Sequence, residues 1–143
     1  MTQVATCAEL PAPLSRAPSR VHAGLRLAVL LPSAKSWSEG RAAAGAISLA
    51  VADANKRFGL NVSYVWREVD CDTSSATAAI SRMMQDDILD AVIGPDCEVS
   101  CESSAYLTAG RNIAQISYSC SSDLLSNKKK YPTVRLASPI QLP

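Results

Sequence analysis

Asp90-Ala91-Val92-Ile93-Gly94-Pro95-Asp96-Cys97-Glu98, running on through Val99 to Gly110, then Ile113 to Tyr118 and Ser119-Cys120-Ser121-Ser122, is the stretch whose reading decides the fold. It gives, in order, an apolar run, a Gly-Pro turn, a helix-length segment, a second apolar run and a polar turn. If the two runs are parallel strands, both turns lie at one sheet edge, where open α/β folds hold their ligands. Three of the five cysteines, Cys97, Cys101 and Cys120, fall in or beside those turns.

Toward the N-terminus the same alternation repeats. Leu25 to Leu31 is apolar apart from Arg26, as expected of a central strand covered on both faces. Pro32 stops it. Ser36-Trp37-Ser38-Glu39 has capping-box spacing, and Ala43, Ile47, Val51, Ala54 and Phe58 then recur at helical intervals until Gly59 closes the helix. Asn61 to Val69 is rich in Val, Tyr and Trp but admits Arg67 and Glu68, which predicts a strand nearer the sheet edge than the first. Asp72 is placed to cap a second helix, with Ala76, Ala79, Ile80 and Met83 on one apolar face as far as about Asp87. Strands alternating with helices define an α/β fold, a parallel sheet with helices on both faces. Beyond Ser122, a helical turn over 123–127, a solvated corner at Lys128-Lys129-Lys130 and a short extended piece over 133–136 are expected.

The 143 residues, 48% hydrophobic and 19% charged, suffice for one domain with a real core. Met1 to Ala23, with Pro11, Pro13 and Pro18 and no periodicity, reads as a disordered leader (1–23) ahead of the folded unit (24–143). A formal net charge of +1 sets up no long-range field for nucleic acid or an anionic membrane. No apolar run approaches the roughly 18 residues of a membrane helix, and the N-terminus lacks the apolar centre of a secretory signal. The chain as written is expected to be soluble, without a membrane segment.

Enzymatic readings lack their parts. The single histidine, His22, lies in the leader, so neither a Ser-His nor a Cys-His pair can form in the folded region. Pro32-Ser33-Ala34-Lys35-Ser36 stands where a phosphate-binding glycine loop would follow the first strand, and no nucleophile elbow occurs. No catalytic residue and no cofactor is assigned. Cys97 at a helix N-terminus has its thiolate favoured, but no Arg stands six residues after it, as a phosphatase loop requires. A metal site on Cys97, Cys101 and Cys120 needs a fourth ligand, for which Asp96 or Glu98 is the nearest choice. Disulfides are the preferred reading, with Cys7 left over. Cys71 ends the second strand and Cys97 follows the third, while Cys101 and Cys120 flank the next helix and strand. Of the three pairings, Cys71 with Cys97 and Cys101 with Cys120 is therefore chosen. Asn61-Val62-Ser63 is a glycosylation sequon. Ser36, Ser119, Ser121 and Ser122 are placed to present hydroxyls to a cleft at the sheet edge, and loop and cap duty is their competing use.

The segments Gly94-Pro95-Asp96-Cys97-Glu98, Cys71-Asp72, Cys101, Ile116 to Ser122, Leu125-Ser126-Asn127 and Tyr131-Pro132-Thr133 together resemble the extracellular ligand-binding region of receptor-type guanylate cyclases and natriuretic peptide receptors. That region belongs to the type I periplasmic-binding-protein-like superfamily, with the ectodomains of metabotropic glutamate and GABA-B receptors. The resemblance covers Leu25 to Pro139. It implies part of the first lobe of a two-lobed sensor on the extracellular side of the plasma membrane, with a peptide or small-molecule ligand, a second copy as partner and signal transduction as the role. It also implies a Cys71–Cys97 bridge. The amino-acid-sensing relatives grip their ligand with hydroxyls in the turns after the third and fourth strands. Here Ser121 matches the second turn, while Cys97 and Glu98 replace the hydroxyls of the first. Gly94, Cys97, Ser119, Ser121, Ser122 and Ser36 are thus the expected ligand-binding residues. A metabotropic glutamate or GABA-B type lobe is the alternative, and a cytosolic flavodoxin-like enzyme the alternative of another class.

Overall fold

A computed structural model describes residues 24–35, 40–86 and 89–137. The leader, Cys7, His22, the capping box and Ser36 lie outside them. Five parallel strands form one sheet: β1 (Leu25–Pro32), β2 (Val62–Val69), β3 (Ala91–Ile93), β4 (Ala114–Ser117) and β5 (Val134–Leu136). Between them run α1 (Gly40–Phe58), α2 (Thr73–Asp86) and α3 (Glu98–Gly110), with a 3-10 turn over Asp123–Ser126 ahead of β5. The strand order is β2-β1-β3-β4-β5, so β2 is an edge strand, as its mixed composition predicts.

The pleat of β1 divides the core. Ala28 and Leu30 point to the α2 side, packed with Val69, Ile80, Met83, Met84, Leu89 and Val92. Val29 and Leu31 point to the opposite side, toward Ala44 and Ile47 of α1. Helices therefore cover both faces, and an apolar β1 is what such a position demands. Toward β5 a second cluster forms from Cys101, Ala105, Cys120, Leu125, Tyr131 and Val134.

One local expectation is corrected and another is extended. Phe58 shares the helical spacing of Ile47 yet is 72% exposed. Asn55 already bonds both the N–H and the carbonyl of Val62, the first residue of β2, at 2.7 and 3.0 Å, so one turn further on no strand lies beneath the helix. The lysine corner is exposed as expected, and two of its lysines also carry contacts. Lys128 Nζ donates to the carbonyls of Leu125 and Val134, and Lys130 Nζ donates to Tyr106 and lies over the Tyr106 and Tyr131 rings, which closes the corner before β5.

Candidate functional site

All five strands are parallel, so their C-terminal ends share one rim. The order reverses at β1, because β2 is added on one side of it and β3 on the other. The crevice of an open α/β sheet lies at such a reversal. Four turns meet there, after β1, β2, β3 and β4.

The turn after β2 is pinned by hydroxyls. Ser33 N–H donates to the Val69 carbonyl at 2.9 Å, and Ser33 Oγ donates to the Asp70 carboxylate. Ser100 Oγ, from the first turn of α3, reaches the carbonyls of Asp70 and Asp72 at 3.0 and 3.3 Å. Asp72 then caps α2 as expected, its Oδ1 accepting the Ser75 N–H and the Ser74 hydroxyl, each at 2.7 Å. These bonds to the charged form hold the Asp72 carboxyl below the usual carboxylate range.

That pinning brings Cys71 to Cys97, and the two are joined by a disulfide with Cα atoms 5.5 Å apart. Cys97 occupies the cap position of α3 without a side-chain bond to the helix, so the reactive-thiol reading of this residue ends here. Among the described residues no group of three or more His, Cys, Asp or Glu side chains is placed to hold a metal ion. Cys101 and Cys120 differ from expectation. They lie side by side as buried thiols rather than as a bonded pair.

The turn after β3 rests on backbone. Gly94 sits at φ +90° with its N–H on the Ile116 carbonyl at 2.7 Å, and a Cβ there would come within 2.4 Å of the Leu30 carbonyl oxygen. The Gly94–Pro95 bond is cis. Tyr118 covers the glycine and donates its hydroxyl to the same Leu30 carbonyl at 3.1 Å, with burial pushing its phenol well above the usual range. Gly94 is thus a buried pivot between β1, β3 and β4.

The turn after β4 is held by Ser117. Its hydroxyl donates to the Pro95 carbonyl at 2.7 Å and accepts the Cys120 N–H at 3.0 Å, with Cys101 Sγ 3.2 Å away. From this anchor Ser121 Oγ reaches the Glu98 carboxylate and Ser122 Oγ reaches the Glu102 carboxylate, one turn along α3. Ser119 and Ser121 are exposed, whereas Ser122 is 6% exposed with its hydroxyl already taken. The structure therefore brings Gly94, Cys97, Ser119, Ser121 and Ser122 to one rim. Ser122 and Gly94 shape that rim from beneath rather than present groups to it. Ser100, Glu102 and Ser117 join the list although no spacing rule singled them out; the hydroxyls of Ser100 and Ser117 face inward. Asn61 is exposed at the opposite end of the sheet, where its carbonyl accepts the Leu25 N–H at 2.8 Å.

The rim stands where open α/β folds hold their ligands, and comparison with known proteins gives the family. The family described as the receptor family ligand binding region matches residues 42–141, and the chain belongs to it. Subunit 1 of the mouse gamma-aminobutyric acid type B receptor is 27% identical over 126 residues, 84% of this chain and 13% of that protein. The speract receptor of Strongylocentrotus purpuratus is 30% identical over 122 residues, 82% of this chain and 11% of that protein. The chain thus spans only about an eighth of these relatives' length. In fold it matches the branched-chain amino acid transporter substrate binding protein LivJ of Streptococcus pneumoniae, solved with isoleucine, at a TM-score of 0.67 and 17% identity, covering 80% of this chain and 34% of that one. The leucine binding protein LivK of Thermotoga maritima gives a TM-score of 0.67 at 18% identity, covering 78% of this chain and 32% of that one. Among the described residues no helix is long and apolar enough to cross a membrane.

Proposed function

We propose that this chain supplies one wall of the ligand cleft of an extracellular sensor, in a receptor of the guanylate cyclase type. The observation that carries the reading is the rim itself, where the turns after β2 and β3 are covalently joined and the turn after β4 is bonded to the first turns of α3. Its exposed surface, Ser119 and Ser121 beside Glu98, is the part a ligand meets. The Glu98 carboxylate lies on the Ser121 hydroxyl, so a free α-carboxylate approaching that hydroxyl meets like charge. This favours a peptide or an uncharged or cationic small molecule over a free amino acid. The Asn61 sequon, exposed and away from the rim, suits a glycosylated chain that passes through the secretory route.

Two measurements test the reading. Calorimetry of the chain against the common amino acids and γ-aminobutyrate is expected to give no dissociation constant below about 1 μM, equivalent to about −8 kcal/mol; tighter binding of any of them contradicts it. Sequencing the transcript through and past the codon for Pro143 is expected to reveal a single membrane helix followed by a cyclase domain. The specific observation favouring a second reading, a GABA-B type receptor, is the 27% identity to subunit 1 of that receptor. A seven-helix region in the transcript would select it.

A further inference from the structure

The Cys71–Cys97 bond leaves two sulfurs at the same rim. Cys101, in the first turn of α3, and Cys120, in the turn after β4, are both 0% exposed and belong to one apolar cluster with Leu125, Tyr131 and Val134. Ser117 ties both residues together, with its Oγ 3.2 Å from Cys101 Sγ and accepting the Cys120 N–H at 3.0 Å. No third sulfur competes for either one among the described residues, because Cys71 and Cys97 already hold each other. That bond lies four residues before Cys101 on the same helix start. A chain that carries it is made where thiols are oxidised, and the same conditions act on the neighbouring pair.

We propose that Cys101 and Cys120 are the two halves of a second, oxidisable cross-link that fastens the turn after β4 to α3. A disulfide oxidant such as glutathione disulfide supplies the balance. Cys120 sulfur, deprotonated, attacks one glutathione sulfur and releases the first glutathione thiol, which carries off the proton. Cys101 then loses its proton and attacks the Cys120 sulfur, releasing the second glutathione thiol, so two thiols are oxidised and one disulfide is reduced. The order of the two sulfurs does not affect the balance, because the exchange takes place before the folded-state contacts of either thiol exist. Because neither sulfur is exposed, the bond forms before the cluster closes and is afterwards shielded from reductants. The proposal is independent of the receptor reading, since it rests on the two thiols and on the neighbouring Cys71–Cys97 bond.

The test uses the full chain refolded with a glutathione and glutathione disulfide mixture. After denaturation without reductant, N-ethylmaleimide labels the remaining thiols, and a protease that cuts after glutamate separates Cys97 from Cys101 at Glu98 and again at Glu102. The expected result is label on Cys7 alone and fragment Val99–Glu102 joined to the fragment that contains Cys120. Full label on Cys101 and Cys120 with Cys71–Cys97 still joined overturns the proposal. As a second measurement, the double variant C101A/C120A is expected to melt roughly 10 °C below the oxidised chain, from the loss of a cross-link between residues 19 apart in sequence. Equal melting also overturns it.

Discussion

Ser117 donates its hydroxyl to the Pro95 carbonyl at 2.7 Å, and through that bond the last residue of β4 holds the turn that follows β3. The same oxygen accepts the Cys120 N–H, so one buried side chain sets the relative height of the two turns that form the rim. An alanine cannot replace either function. Ser117→Ala leaves the Cys120 N–H buried without an acceptor, whereas the Pro95 carbonyl keeps the Cys101 thiol 3.3 Å away. The expected cost is about 2 kcal/mol in urea denaturation with an unchanged m-value. A loss below about 0.5 kcal/mol would mean that the two turns are set by something else.

The Cys71–Cys97 bond closes a separation of 26 residues that includes all of α2 and β3. In the chain-entropy model its removal costs about 3.5 kcal/mol. The double variant C71S/C97S is therefore expected to unfold at markedly lower urea than the parent. If the midpoints coincide, the hydroxyl bonds of Ser33 and Ser100 already hold the turn after β2, and the covalent bond is redundant.

Most of this rim was legible in the sequence because it depends on short-range patterns. The unbroken apolar run of β1, the capped face of α2 and the Gly94-Pro95 turn after β3 each follow from local chemistry, and their parallel order brings Cys71 and Cys97 together. What was not legible depends on tertiary neighbours. Gln115 is a fully buried amide in a strand, and nothing in its spacing shows that Thr108 donates to it and that it donates to Ser104, each at 2.8 Å. Glu98 and Glu102 look like an ordinary acidic helix start until the turn after β4 sets Ser121 and Ser122 against them. Phe58 keeps the right helical phase but lies past the end of the sheet, a matter of relative length that periodicity does not report.

Asp72 gives the rim a dependence on acid. Its carboxyl is held low by the Ser75 N–H first and the Ser74 hydroxyl next, both at the start of α2. A group with a folded-state pKa below its unfolded value contributes stability that is present above the unfolded value, near 3.9, and is lost as pH falls through the folded one. Stability of the chain is thus expected to drop on the acid side of pH 4, and Asp72→Ala is expected to lower the melting temperature at pH 7 and to flatten that acid limb. Parallel melting curves for parent and variant between pH 5 and pH 2 would remove Asp72 from the account.

Gly45 and Gly94 are expected to respond to alanine with opposite signs. Gly45 lies inside α1, at the edge of a cavity of about 180 Å³ between that helix and β1, and a Cβ there meets nothing within 4 Å. Gly45→Ala removes the backbone freedom that glycine has in the unfolded chain and is expected to stabilise by about 0.5 to 1 kcal/mol. Gly94 has φ +90°, and its Cβ would stand 2.4 Å from the Leu30 carbonyl oxygen and 3.1 Å from the Tyr118 ring. The backbone conformation alone costs an L-residue about 1 to 2 kcal/mol, and relief of the contact requires β1 and β3 to separate, which breaks the Tyr118 bond to Leu30. Gly94→Ala is expected to cost more than about 2 kcal/mol and to loosen the rim, seen as faster amide exchange at Cys97 to Cys101. A mild Gly94→Ala phenotype beside an unchanged Gly45→Ala would mean that β1 yields at Leu30, and that the pivot between the strands is softer than its contacts require.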